Sequence, residues 1–181
     1  MDILKLCTEQ GVTNAVEIKV SALVPEAGLH FYCEQNYCGR YGKNYTCPPS
    51  VGRIDDLIQR VEGYDTAVIW QNVYALEDSF DFEGMAEGAA RHNAITQELA
   101  QQIYSALGRE NVLVLTAGGC SICGTCAIVE DESCRSPLEA LSSLEAYGIN
   151  VTQLCEASGL SYMGGANTVT YFGGAFLKQS S

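Results

Sequence analysis

Apolar and polar residues first alternate at Val16, Ile18 and Val20, with Glu17 and Lys19 between them. A period of two predicts a strand with one face on a core. Ahead of it, Ile3 to Glu9 predicts a short helix closed by Gly11, and beyond it Pro25 and Gly28 end the regularity. The period then lengthens. Ile54, Leu57, Ile58 and Val61 recur at helical spacing, Asp55 and Asp56 stand in the first turn where the helix dipole favours acids, and Gly63 stops the helix. Ala67 to Trp70 and Val112 to Leu115 are unbroken apolar runs that predict buried strands, the first continuing toward Tyr74. Between them a long helix is predicted from Glu83 to Leu107, with Ile95, Leu99, Ile103 and Leu107 four residues apart and Gly108 at its end. Pro137 opens another predicted helix, carrying Leu138, Leu141 and Leu144 and stopped by Gly148. Val151 to Ser158 predicts a short helix and Thr168 to Phe172 a closing strand.

This order of elements implies an α/β or α+β fold: a single domain over residues 1–181, with a mixed sheet of about four strands and flanking helices. A chain of 181 residues suits one domain with a core of its own, and it contains no internal repeat. Lys178 to Ser181 reads as a frayed end. Two stretches escape any periodicity, and each follows a predicted strand. Were those strands parallel, both stretches would emerge at one edge of the sheet, where ligands sit in such folds.

Composition narrows the class. Hydrophobic content of 47% against 18% charged describes a globular protein. A net charge of -12 with Lys and Arg totalling 10 argues against nucleic acid as a partner. The acidity serves solubility, or it steers a basic redox partner. The longest apolar runs are too short for a bilayer, and Asp2, Lys5 and Glu9 at the amino end do not read as an export leader. The expectation is a soluble, cytoplasmic protein without a membrane partner. Nine cysteines in a reducing compartment read as ligands rather than disulfides.

The two aperiodic stretches hold most of those cysteines. In the second, Cys120, Cys123 and Cys126 stand at two-residue gaps around Gly124, followed by Cys134-Arg135-Ser136-Pro137. Three thiols in even register can curl around one compact object, which favours an iron-sulfur cluster of the 4Fe-4S type. Zinc more often takes separated Cys-x2-Cys pairs, and a redox dithiol needs one pair, so both stand as alternatives. In the first stretch Cys33, Cys38 and Cys47 lie among glycines and tyrosines, with Pro48 and Pro49 fixing the backbone after the third. The longer gap to Cys134 lets the chain return to its own cluster, making Cys134 the fourth ligand beside Cys120, Cys123 and Cys126. The Cys33, Cys38 and Cys47 set is then left with an open or non-cysteine position. His30, three residues before Cys33, is a candidate imidazole ligand. His92 reads as a packed or surface residue, and Cys7 and Cys155 as small apolar side chains outside either site. Glu77-Asp78 and Glu130-Asp131 read as solvated loops.

Cys33-x4-Cys38-Gly39-Arg40-Tyr41-Gly42-Lys43-Asn44-x2-Cys47-Pro48-Pro49 resembles the predicted metal-binding proteins of domain of unknown function 2284. The run from Cys120 to Pro137, Glu145 to Val151 and the ending Asn167 to Gly173 are similar to that family too, so the resemblance spans most of the chain. Tyr45 stands where tryptophan is expected in relatives, a departure that leaves the ligands untouched. The resemblance implies metal binding in proteins found mainly in anaerobic bacteria and archaea, and it supplies no reaction.

Three functions follow as expectations. The first is an iron-sulfur protein with two clusters, exchanging electrons with a redox partner in anaerobic metabolism. The second is an enzyme that binds a small-molecule substrate at an open cluster iron. The third is a structural or delivery protein for zinc. Gly118-Gly119 makes neither a dinucleotide fingerprint nor a P-loop, and neither a Gly-x-Ser-x-Gly elbow nor a His-Glu-x2-His helix is present.

Overall fold

In the computed structural model, which describes residues 1–178, the two apolar runs become strands of one sheet, separated by a third strand. Helix α1 (Ile3–Glu9) leads to strand β1 (Asn14–Lys19), helix α2 (Leu29–Glu34) and helix α3 (Ile54–Glu62). Strand β2 (Thr66–Ala75), helix α4 (Phe82–Leu107), strand β3 (Val112–Leu115), helix α5 (Val151–Ser158) and strand β4 (Thr168–Leu177) complete the order. Short 3-10 turns stand at Val20–Ala22, Ala127–Glu130 and Glu145–Tyr147. Of the frayed end expected over Lys178 to Ser181, Lys178 donates its N–H to Asn111 O at 3.0 Å and the rest lies outside the described residues.

The fold is a single α+β domain. Its four strands run β1-β2-β4-β3, and every neighbouring pair is antiparallel. The expected mixed sheet is therefore corrected: parallel pairing is confined to an isolated bridge between Thr116 and Ser143. The apolar runs misled for a physical reason. Along β2, Ala67 and Ile69 enter one core with Leu113, Leu115, Phe172 and Phe176, while Val68 and Trp70 enter another with Leu99, Ile103 and Ala175. Helices α1 and α4 cover the second face, and α3, α5 and the 142–149 segment cover the first. A sheet buried on both faces needs apolar residues at every position, whichever way its strands run.

Trp70 is fully buried opposite Gly173, where a Cβ would stand 2.6 Å from the indole nitrogen. Its N–H donates to Thr96 Oγ1 at 3.3 Å. The stop signal expected at Gly108 holds for the long helix, which begins one residue earlier than expected, at Phe82. Asp81 caps α4 by accepting from the Gly84 N–H at 2.8 Å, and Gly108 ends it at φ +81°.

The helix expected from Pro137 to Gly148 is absent. Leu138 is exposed, Leu141 joins the core beneath α4, and Leu144 joins the opposite core. No single helical face could serve both. The segment instead runs beside the end of β3, with the Thr116 N–H donating to Ser142 O at 2.9 Å and the Leu144 N–H to Thr116 O at 3.1 Å.

That pairing positions the site. From Thr116 the chain leaves the sheet, carries Cys120 to Cys134 and returns at Ser142, so the second cysteine stretch is an excursion pinned at its base. The first stretch leaves β1 at the other end of the sheet and is brought back over one face. Its ties are the Glu26 N–H to Gly148 O at 2.7 Å and His30 Nε2 to Ala146 O at 2.8 Å. Both stretches thus hang from the 142–149 segment. The expectation that parallel strands would bring them to one edge is wrong, because β1 and β3 point in opposite directions.

Candidate metal centre

Cys33 stands in α2, a helix with no buried residue, and the chain then curls tightly. Asn36, Gly39 and Gly42 all adopt positive φ, between 50° and 75°. The Gly39 N–H donates to Asn36 O at 3.0 Å, the Tyr41 N–H to Asn36 Oδ1 at 3.0 Å, and the Gly42 N–H to Pro48 O at 2.9 Å. These turns bring Cys33, Cys38 and Cys47 into one another's fields. Burial pushes the Cys47 thiol up to about 11; Cys38 adds to that rise, and Arg40 and a hydrogen bond with Thr46 oppose it. The Cys33 thiol is also raised, by burial first, then by Cys38, Glu145 and Glu34. Glu145 was not anticipated as a neighbour. Burial raises its own carboxyl, against opposing hydrogen bonds from its backbone N–H and Ser143.

In the second stretch Cys120, Cys123, Cys126 and Cys134 all line one small cavity, together with Asn44, Tyr45 and Thr46 from the first. Burial raises the Cys120 thiol; a hydrogen bond from the Ile122 N–H opposes the rise, and Cys134, Cys123 and Cys126 add to it in that order. Arg135 closes the loop by donating to Thr125 O at 3.2 Å and to the carboxylates of Glu132 and Glu130. Glu130 and Asp131 are exposed, as expected of a solvated loop, and Glu130 also takes part in the loop's clasp.

The two stretches are fused through Cys120. Its carbonyl accepts from Asn44 Nδ2 at 2.7 Å and Arg40 Nη1 at 3.0 Å, and its N–H donates to Thr46 Oγ1 at 2.8 Å. Asn44 and Thr46 are buried, and Asn44 Oδ1 accepts from both the Thr46 N–H and its hydroxyl at 3.0 Å. Tyr45 adds a third tie by donating to Glu132 O at 2.7 Å. Gly119 lies so close to Cys47 that a Cβ there would stand 2.5 Å from its sulfur. Sequence reasoning found the thiols and missed this clasp. Its signal was present as small polar residues inside a cysteine motif, a place where an ordinary loop has no need of buried hydrogen bonds.

The remaining candidates lie elsewhere. His30 spends Nε2 on Ala146 O and so ties α2 to the 142–149 segment. His92 is wholly buried in the core, with Nδ1 at 3.0 Å from Asn72 Oδ1 and Nε2 at 3.1 Å from Phe172 O. Burial lowers it to about 4. Cys7 and Cys155 are buried in opposite cores, and burial pushes the Cys7 thiol up to about 11, which leaves it unreactive. Among the described residues, no three His, Cys, Asp or Glu side chains converge tightly enough to hold a single metal ion. None of the described helices is long and apolar enough to cross a membrane.

The fold and site define a small α+β protein whose two cysteine segments are bolted together at one pole of the sheet. The chain belongs to the family described as predicted metal-binding protein (DUF2284), whose model matches residues 16–177. No curated protein and no solved structure matches it.

Proposed function

We propose that the protein is a cytoplasmic iron-sulfur protein with two 4Fe-4S clusters, serving electron transfer in anaerobic metabolism. Cys120, Cys123, Cys126 and Cys134 would hold one cluster, and Cys33, Cys38 and Cys47 the other. One observation carries the reading: four cysteines of one segment line a common cavity, while Cys47 of the second set adjoins that segment at Gly119. Bound clusters would supply one-electron chemistry. The chain's own contribution is to hold the two sets side by side through Asn44, Thr46 and Arg40, to desolvate the thiols, and to aim an amide at Cys120 sulfur.

A second reading rests on the count of thiols in the first set. With three sulfurs and no fourth, that set leaves a position for a substrate, which makes an enzyme rather than a carrier. Zinc binding without turnover is the contrasting outcome. Iron, zinc and acid-labile sulfide in anaerobically purified protein separate these readings. Iron and sulfide near two cubanes per chain are expected, and stoichiometric zinc without labile sulfide would end the cluster reading.

A further inference from the structure

The cavity between the two cysteine segments has a charge opposite to that of the protein around it. It measures about 210 Å³ and is bordered by Arg40 and Lys43 on one side and by Cys123, Gly124, Thr125 and Cys126 on the other, with no carboxylate in its lining. The protein as a whole carries a net charge of -12. Elsewhere among the described residues its cations are engaged or, as with Lys19 on β1, stand alone on the surface away from any such cavity. Lys5, Arg53, Arg91 and Arg135 each meet a carboxylate, Arg109 and Lys178 lie over tyrosine rings, and Arg60 donates to the Tyr147 hydroxyl. Among the described residues Arg40 and Lys43 meet no carboxylate within 4 Å.

Their positions are fixed by the backbone. The Lys43 N–H donates to Arg40 O at 3.0 Å, closing a turn through Gly42 at φ +68°, and Arg40 is held by its bond to Cys120 O. One guanidinium donor is spent there, and the rest of the fork remains for a ligand. Asn44, also in the wall, has its amide committed on both sides.

We infer that Arg40 and Lys43 form a binding site for a small oxyanion, a carboxylate or a phosphate, in the cavity between the two cysteine segments. Two cations on a preformed turn match oxyanion geometry, with the guanidinium offering paired donors and the ammonium a point charge. The cavity is smaller than the usual ligand pocket of about 300–1,000 Å³, which selects an anion of few heavy atoms over a nucleotide. The inference rests on the metal-centre reading for what the anion does, as substrate or effector beside a cluster. It does not rest on that reading for binding.

The test is calorimetric titration of the anaerobically purified full chain with inorganic phosphate and, separately, with succinate, alongside metal and sulfide analysis of each sample. At least one anion is expected to bind once per chain, and which one binds tells phosphate from carboxylate. Lys43→Gln should weaken that binding about tenfold or more and Lys43→Arg should largely preserve it, both with unchanged metal content. The inference is overturned if neither anion binds, or if Lys43→Gln binds as well as the parent. It is equally overturned if Lys43→Gln loses metal while keeping its anion affinity, since the pair would then only balance the charge of the centre. Zinc in place of iron would remove the proposed electron transfer and leave the anion titration to decide this site by itself.

Discussion

The two cysteine segments bind themselves to the fold in opposite ways. The 120–134 segment leaves and rejoins the sheet at one point, sealed by the Thr116, Ser142 and Leu144 backbone bonds, and all four of its cysteines line one cavity. The 33–47 segment begins on a helix with no buried residue, exposes Cys38, and is held chiefly by partners outside it, Cys120 meeting its Arg40, Asn44 and Thr46, and Ala146 O meeting the preceding His30. The difference teaches that the second segment is a site with its own frame, whereas the first borrows its frame from the second. Burial alone cannot order the first segment, because the apolar contacts that stabilise a packed helix, roughly 1.5–3 kcal/mol per large side chain, are missing from α2.

The largest effect should come from breaking the shared clasp. Asn44→Ala removes the 2.7 Å bond to Cys120 O, which keeps only Arg40, and leaves the Thr46 N–H and hydroxyl without an acceptor at about 1–3 kcal/mol each. Loss of metal from both sets is expected; full metal content in this variant would show that the segments do not depend on the clasp. Gly119→Ala should be narrower. The added methyl meets the Cys47 sulfur, so the first set should lose metal while the second keeps it, a distinction that spectroscopy of the two centres can read. Damage confined to the second set would contradict the borrowed frame.

Acid should strike the core before it distinguishes the two segments. His92 lies in the core with its ordinary value of 6.5 lowered to about 4, so the folded state disfavours its charged form. Its stabilising contribution is complete above pH 6.5 and is lost as pH falls from 6.5 toward 4. The size is about 3 kcal/mol. Unfolding free energies from urea titration should fall across that range by about this much more for the parent than for His92→Gln, since the thiols are common to both chains; parallel curves would refute it. The smallest effect on metal belongs to the two cysteines in the cores. Cys7→Ala and Cys155→Ala should each leave metal content unchanged, and loss of either centre would show that a ligand had been assigned by the wrong criterion.

Much of this arrangement was legible in the residue pattern, and the failures have common causes. The strands β2 and β3 and the long helix α4 follow from apolar periodicity and glycine stops. Strand direction did not, because a sheet covered on both faces looks the same from its side-chain pattern whether parallel or antiparallel. Leu138, Leu141 and Leu144 imitate a helix face by a three-residue spacing that turns, not a helix, produce; Leu141 and Leu144 belong to different cores. Helix α2 has no apolar face to announce it. In the site, thiol spacing named seven cysteines, of which four line one cavity and a fifth, Cys47, adjoins their segment at Gly119. The clasp through Cys120 depends on contacts between residues more than seventy positions apart, which no local spacing encodes.

The central claim is that Cys134 closes its own set and leaves the first set one thiol short. Cys134→Ser in anaerobically purified protein, followed by iron and sulfide analysis and by spectroscopy of each centre, tests it most directly. The account predicts loss of about half the iron and sulfide, taken from the second centre, with the first unchanged. Loss of the first centre with the second intact would contradict it, for Cys134 would then cross between the segments and both centres would be closed.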